Sequence, residues 1–549
     1  MEKKPTLFLS LFLLFFSTGF SQNEPFTVRT VNTTYKLNSA WELTYGPDDS
    51  LWVTESSTYL VNRINPQTGL KTQVIDLSSK RDFAVNAASW PQGGLMGLAL
   101  HPSMYTEWPN PSKPWVYLAY VYHYVGYFKA KNTQDSGCFF KTRVVRYTYN
   151  RATQSLSNPE TIIENLNGST DHNSGRLTTG NINGTPYLFY TIGDMGTGQF
   201  KNLNRTNRAQ LRDTLEGKVL RFNLDAIGSA SNPQNWIPND NPYVDKNGNS
   251  TAVWSYGHRN AQGLAFGSNG ILYSSEQQDM SDDEVNIIEK GRDYGWPLVS
   301  GYSDGNYDGW KLANITVVSE KQDSIDYNLR APIYTLYSAA NPGPLYGTNN
   351  NTWPTVACSS IEVYENYTIP KWNRSLLVPS LKAGQIFRLK LLDDGKTVTD
   401  MTSINAMNLY NKARLRDLCV SPDGLKIYVS CDMSSQNSAY QGKILEYKYS
   451  GTLGVLSIVP DSINTPVVTT RVEVYPNPAK NMLFVKSLKT QTSPLHYSIY
   501  DTNGKLVLNG DSNNSNFGID IQALSPGVYV FKLYNAYFIN ICSTKVIAK

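Results

Sequence analysis

The chain has 549 residues, too many for one ordinary domain and enough to bury a large core. Charged residues are 17% and aromatics 12%, with 36 Tyr, 39 Gly and 28 Pro, which suits a turn-rich all-β protein rather than a helical one. A net charge of +4 is near neutral for this size and gives no reason to expect nucleic acid or an anionic membrane as partner.

Met1–Ser21 reads as a secretory signal peptide. Lys3 and Lys4 form a basic start, Leu7–Phe16 is an apolar core too short to span a bilayer comfortably, and Gly19-Phe-Ser21 offers small residues for cleavage. The mature protein is expected to be exported. Its five cysteines, Cys138, Cys358, Cys419, Cys431 and Cys542, include no CxxC and no Cys/His metal spacing. Cys419 and Cys431 flank one expected hairpin; they could pair, or serve as small buried apolar residues.

From residue 22 to 450 one pattern recurs: a strand, a small turn, then a strand ending in polar residues. Glu42–Glu55 is the first copy. Gly97–Pro102 with Trp115–Tyr120 is the second, and Leu177–Gly184 with Tyr187–Asp194 the third. The fourth is GLAF then GILYSSEQ, joined at Gly267-Ser-Asn-Gly270, residues that tolerate positive φ. Ser375–Leu381 with Gln385–Lys390 is the fifth, and Asp417–Gly424 with Lys426–Asp432 the sixth. Six copies with irregular insertions predict a six-bladed β-propeller, with a β-sandwich or two unrelated sheets as the alternative. Gly442–Tyr449 is expected to close the ring with the N-terminal segment.

Residues 451–471 are rich in Thr, Ser, Pro and Val and read as a linker. Residues 472–549 read as a small separate β domain, of β-sandwich type. The order Val474-Tyr-Pro-Asn-Pro-Ala479, Tyr497–Lys505, Ile519-Asp-Ile521 and Leu524–Tyr529, with the basic end Lys545 to Lys549, resembles the C-terminal sorting domain of the type IX secretion system. That resemblance implies the type IX machinery as a partner and a secreted or cell-surface location.

Two groups of residues carry chemistry. His172 lies between Asp171 and a Gly-containing turn, and an imidazole titrates near working pH, so it is a candidate general base. Asp194, ending the third strand pair, could hold that imidazole in one tautomer. Arg259, Lys382, Arg414 and Arg416 sit at strand starts or loops of different blades. Converging on the axis they would favour a polyanion; by spacing alone, four unrelated surface charges is the plainer reading.

WPQGGLMGLALHP, DHNSGRL, YTIGD, GKVLRFNLD, GHRNAQGLAF, SEQ followed by SDDEVN, DYGWP, WPTVA, VPSLKAGQIFRLKL and RLRDLCVSPDG occur in this order. Together they resemble the soluble pyrroloquinoline-quinone-dependent glucose dehydrogenases and related aldose sugar dehydrogenases, over roughly residues 35–449. The resemblance implies that His172 removes the sugar C1 hydroxyl proton while a hydride passes from C1 to the C5 carbonyl of the quinone. It implies that Asp194 orients His172, and that Gln92, Asp171, Gln199 and Trp353 meet the sugar. Arg259 and a calcium ion would polarise the C5 carbonyl. Asn260, Gln277, Thr355, Lys382, Arg414, Arg416 and Asp432 would hold the cofactor with its three carboxylates.

The cofactor calcium would sit on backbone oxygens of Gln278 and Asp279, where the family usually has Gly-Pro. A second calcium would be held around Glu284, Tyr294, Ser300 and Asp304; the plainer reading of Asp282–Glu284 is a solvated acidic turn. Gly347–Thr352 departs from the family's glucose enzymes, which carry a Tyr and a disulfide there, so the pocket rim differs. The expected activity is oxidation of an aldose to its lactone with an external electron acceptor; a homodimer is left open. The competing readings are a calcium-dependent lactonase-type propeller hydrolase and a non-catalytic propeller that binds glycan or protein.

Overall fold

The computed structural model describes residues 24–84, 89–129, 136–312, 315–337, 353–453, 472–487, 495–501, 506–534 and 540–549. Met1–Ser21, Gly347–Thr352 and most of the linker lie outside them. Between Phe26 and Tyr449 six four-stranded antiparallel sheets are arranged as a propeller. Their innermost strands are Ala40–Tyr45, Leu95–Leu100, Leu177–Ile182, Ala261–Phe266, Glu362–Tyr364 and Leu415–Val420. Each touches the next, and the last touches the first, which closes the ring. The inner strand of blade 2, flanked by blades 1 and 3, reads as an apolar run, and every residue of Leu95–Leu100 is buried.

Five of the expected copies are the first and second strands of blades 1, 2, 3, 4 and 6. The turn of the fourth copy has Gly270 at φ 79°, with its N–H on the Gly267 carbonyl at 2.9 Å. The fifth copy needs correction. Ser375–Pro379 and Ile386–Leu391 are the second and third strands of their blade. Its first strand, Glu362–Tyr364, is only three residues long and gives no alternating run to read. The sixth blade takes its outermost strand from the N-terminal segment: Phe26–Thr30 pairs antiparallel with Ile444–Tyr449, from Phe26 opposite Tyr449 to Thr30 opposite Leu445. The Arg29 and Glu446 side chains pair across this seam at 2.6 Å. Cys419 and Cys431 are both buried free thiols, at different steps of one hairpin, so the packing reading of these residues is the one realised.

Residues 472–549 form two further sheets. One holds Val472–Tyr475, Met482–Ser487 and Asn516–Asp520; the other holds Leu506–Ser512, Leu495–Tyr500, Gly527–Tyr534 and Asn540–Ala548. Leu483, Val485, Ile499, Ile519, Phe531, Leu533 and Val546 are buried in their shared core.

Arg176 is the hub of the ring. Its Nη1 donates to Glu42 Oε2 at 2.7 Å in blade 1 and to Asp417 Oδ2 at 2.9 Å in blade 6. Nε donates to the Gln262 carbonyl in blade 4, and Nη2 to the Ser359 carbonyl ahead of blade 5. Burial pushes the Glu42 carboxyl up to about 8, against the pull of Arg176. Below this hub, where the inner strands end, lies a cavity of about 300 Å³ lined by Tyr45, Leu100, Thr179, Phe266, Glu362 and Val420 among others. None of the expected site residues lines it.

Arg176→Met should therefore cost about 3–5 kcal/mol of stability at neutral pH, since the buried acids Asp417 and Glu42 lose the cation that bonds them both. The folded-state value of Glu42 lies above its unfolded one, so its ionisation removes stability as pH rises between the two. Without Arg176 the Glu42 value rises further, so the mutational loss should grow once wild-type Glu42 ionises and be larger at about pH 9 than at about pH 7. Urea unfolding at both pH values checks this; equal losses would show that the carboxylates do not titrate against Arg176.

Candidate active site

The expected site residues lie where the chain enters an inner strand, or where it leaves the antiparallel second strand, so they gather at one end of the ring. His172 precedes Leu177–Ile182, and Asp194 follows Thr185–Ile192. Gly193 lets these segments meet, since a Cβ there would stand 2.0 Å from the His172 carbonyl and 3.0 Å from that of Arg259. His172 itself is buried with φ of 50°, a left-handed conformation that a non-glycine residue holds only when its surroundings impose it.

His172 Nδ1 lies 2.7 Å from Asp194 Oδ1. Asp194 is fully buried and accepts on both oxygens: from the Gly196 N–H at 3.0 Å and His172 on Oδ1, and from Trp296 Nε1 at 2.8 Å and Asn207 at 3.4 Å on Oδ2. Burial would raise the Asp194 carboxyl, but His172, Arg259 and the Trp296 N–H hold it below the usual carboxylate range. The ionised Asp194 keeps the proton on Nδ1, and Nε2 is then the free base. In this structure Nε2 accepts from the Gln199 amide at 2.8 Å. Gln199 also donates to Asp171 and accepts from Arg259 Nη2 at 3.2 Å. Gln92 donates to Asp171 at 3.2 Å. Six of the expected residues thus form one hydrogen-bonded network.

Arg259 faces the loop after Leu272–Glu276. Its Nη1 donates to the Gln277 and Gln278 carbonyls at 3.2 and 2.7 Å, and Nη2 pairs with Asp279 Oδ1 at 3.0 Å. Its Nε is buried with no partner among the described residues. Asn260 donates to Gln277 at 3.1 Å and accepts from Gln262 at 2.9 Å. Arg416 pairs with Asp432 at 2.9 Å and reaches Gln262 at 3.5 Å. Burial would raise Asp432, but chiefly Arg416 brings it down to about 2. Burial and the neighbouring Arg416 lower Arg414, whose Nε is also buried and unpartnered among the described residues. Lys382 donates to the Trp353 carbonyl, and burial lowers its ammonium. The four cations are therefore gathered at one end of the ring, contrary to the plainer reading of their spacing.

Asp283 is a residue whose part the sequence does not reveal. It is fully buried, and its carboxylate accepts from Gln278 N at 2.9 Å, Thr355 Oγ1 at 2.8 Å, Val356 N at 2.8 Å and Ala357 N at 2.7 Å. It stitches the 277–283 loop to the segment bearing Trp353 and Thr355. Asp282 and Glu284 are buried as well, so the solvated-turn reading of this run fails. Burial, and then the charge of Glu276 opposite, pushes Glu284 up. Glu284 accepts from the Gly301 N–H at 2.8 Å, and Ser300 Oγ donates to Gln278 Oε1 at 3.3 Å. The Tyr294 hydroxyl instead donates to the Ile287 carbonyl, and Asp304 caps the Asn306 N–H. Side chains of the second calcium set thus bond separate partners, and among the described residues no three His, Cys, Asp or Glu side chains gather to hold a metal.

A glucose/sorbosone dehydrogenase model matches residues 37–441. The chain belongs to that family. A secretion-system C-terminal sorting domain model matches residues 473–548. Quinoprotein glucose dehydrogenase B of Acinetobacter calcoaceticus is 36% identical over 449 residues, 74% of this chain and 86% of that protein. The aldose sugar dehydrogenase YliI of Escherichia coli is 29% identical over 48% of this chain and 58% of that one. The solved apo-form of the soluble aldose sugar dehydrogenase of Escherichia coli covers 78% of this chain and all of its own length, with a TM-score of 0.53 at 23% identity; it shares the fold.

Replacing Asp283 with Ala should lower unfolding free energy by about 3 kcal/mol, because four buried donors lose their acceptor. Asp283→Asn keeps one oxygen and should cost about half of that. Parallel urea titrations compare the two; equal small losses would remove Asp283 as the stitch between these loops.

Proposed function

We propose that the protein is an exported quinoprotein that oxidises the C1 hydroxyl of an aldose to the lactone, with pyrroloquinoline quinone as cofactor, Ca²⁺ as its companion ion and an external electron acceptor. The observation that carries this reading is the buried run His172–Asp194 and Arg259, linked through Gln199, with Lys382, Arg414 and Arg416 at the same end of the ring. The quinoprotein name of the Acinetobacter relative supports it.

The donor set fits both groups. Buried N–H groups on Arg259 and Arg414 that find no partner among the described residues, beside Lys382 and Arg416, suit a ligand with several carboxylates. Asn260, Gln277, Thr355 and Asp432 would complete its seat. The carbonyls of Gln277 and Gln278 and the Asp279 carboxylate converge on one guanidinium, so the loop offers a cation several hard oxygens. The calcium would be held there by the Gln278 and Asp279 oxygens. Bound in this seat, the quinone supplies the hydride acceptor at its C5 carbonyl.

The chain's own residues do the rest. His172 Nε2 accepts the C1 hydroxyl proton, and ionised Asp194 stabilises the imidazolium that results. The sugar hydroxyl displaces the Gln199 amide from Nε2, after which Gln199, Gln92, Asp171 and Trp353 are placed to orient the sugar. Arg259 directs positive charge at the carbonyl oxygen where negative charge develops. The C-terminal domain directs type IX export, which places the enzyme outside the cell or on its surface.

Purified cofactor-free protein given pyrroloquinoline quinone and Ca²⁺ should reduce a redox dye with aldoses. His172→Gln should lower kcat by about 10²–10⁴-fold with cofactor binding retained. No dye reduction with any aldose would overturn the reading. A His172 variant with more than half of wild-type activity would take that residue out of the mechanism.

Cofactor titrations separate the cations. Arg416→Ala should cost about 2–5 kcal/mol in cofactor binding, with turnover recovered at saturation. Arg259→Ala should keep a depressed plateau at saturation. Unchanged half-saturation in Arg416→Ala would sink its carboxylate-binding role.

A further inference from the structure

Trp296 belongs to the DYGWP run, which the proposed mechanism does not use. Its side chain is 1% exposed and touches both halves of the site. The indole N–H donates to Asp194 Oδ2 at 2.8 Å. The Arg259 guanidinium carbon stands 5.1 Å from the centroid of the Trp296 ring. The residue is itself fixed: its backbone N–H donates to the Gly257 carbonyl at 2.9 Å, and its carbonyl accepts from Gln210 at 3.0 Å.

We propose that Trp296 is a positioning residue that holds the Asp194 carboxylate and the Arg259 guanidinium in register with each other. The inference rests on the reading of His172 as base and Arg259 as electrophile. A carboxylate aims one oxygen at its partner only if the other is pinned. Without the indole N–H, Oδ2 would keep only Asn207 at 3.4 Å. Asp194 would then be held firmly on Oδ1 alone, by His172 and the Gly196 N–H, and could tilt about that oxygen, which would loosen the Nδ1 bond that sets the tautomer of His172.

The same ring offers Arg259 its π face, an attraction that strengthens in a desolvated site. Arg259 needs such a support, since its other partners are loop oxygens of Gln277, Gln278 and Asp279 and the Gln199 side chain. The charged groups around the pair are Asp171, 3.9 Å from His172 Nε2, and Asp279 on Arg259. Neither contacts Asp194 in its place. Tryptophan combines both functions: Phe supplies the face without the donor, and an aliphatic residue supplies neither.

The test compares the full chain with Trp296→Phe, Trp296→His and Trp296→Leu. The first readout is the far-downfield proton of His172 Nδ1–H by NMR in cofactor-free protein, assigned by its loss in His172→Gln. The second is kcat and cofactor half-saturation after reconstitution with pyrroloquinoline quinone and Ca²⁺. W296F should shift or broaden that resonance and lower kcat by about tenfold, as loss of a hydrogen bond to a charged group does, with half-saturation unchanged. W296H, which restores a ring N–H, should recover part of kcat. W296L should in addition raise half-saturation by about fivefold, for the lost cation–π contact.

An unchanged resonance and a kcat within twofold of wild type in W296F would overturn the proposal. So would variants that lose activity only with their folded spectrum, which would make Trp296 a packing residue. If the wild-type protein oxidises no aldose, the activity reading fails, and the resonance comparison still decides whether Trp296 positions Asp194.

Discussion

The structure depends on one buried cation. Arg176 spans the axis of the ring and bonds to groups of blades 1, 4 and 6 and to the segment before blade 5. Its own N–H donates to Thr191 Oγ1 within blade 3. Glu42 extends the set by accepting from the Leu98 N–H of blade 2. Arg176 thus links blades 1, 3, 4 and 6 and the segment before blade 5, with blade 2 joined through Glu42, and it follows His172 by four residues. A ring that closes correctly around Arg176 places the base loop; the two are not independent. The charges left in water's absence are balanced there, with Arg176 raised by Asp417 and Glu42 against the cost of burial.

At the opposite side of the base loop the charges are divided by role. Asp194 is kept ionised by donors on every side, so it can only orient and stabilise. Asp283 is held by five hydrogen bonds from two loops yet stays above the usual carboxylate range because of its burial. It binds protein rather than ligand. Lys382, Arg414 and Arg416 stay partly exposed at that end of the ring, and Arg416 carries Asp432 as a counter-charge.

The ordered motifs were legible because propeller blades repeat a strand–turn–strand unit, and polar residues at strand ends stand out against apolar inner strands. His172 and Asp194 stood out in those motifs, whereas Arg259, Lys382, Arg414 and Arg416 read by spacing alone as unrelated surface charges, and only the family resemblance put them together. Asp283 could not, because a buried acid and a solvated one look alike in a run such as Asp282–Glu284. Trp296 was equally silent: its indole N–H finds Asp194 across 102 positions of chain. The short inner strand Glu362–Tyr364 escaped for want of length.

The sequence by itself determined the fold class, the ring of repeated units, the separate C-terminal β domain and the residue types available for proton transfer and anion binding. Those follow from local periodicity, turn chemistry and motif order, which are properties of neighbouring residues. Tertiary structure alone decided which acids are buried, which cation serves as hub, and how Trp296 joins Asp194 to Arg259. Hydrogen-bond partners come from segments 72 to 241 residues apart in these cases, and only closure of the ring brings them within bonding distance.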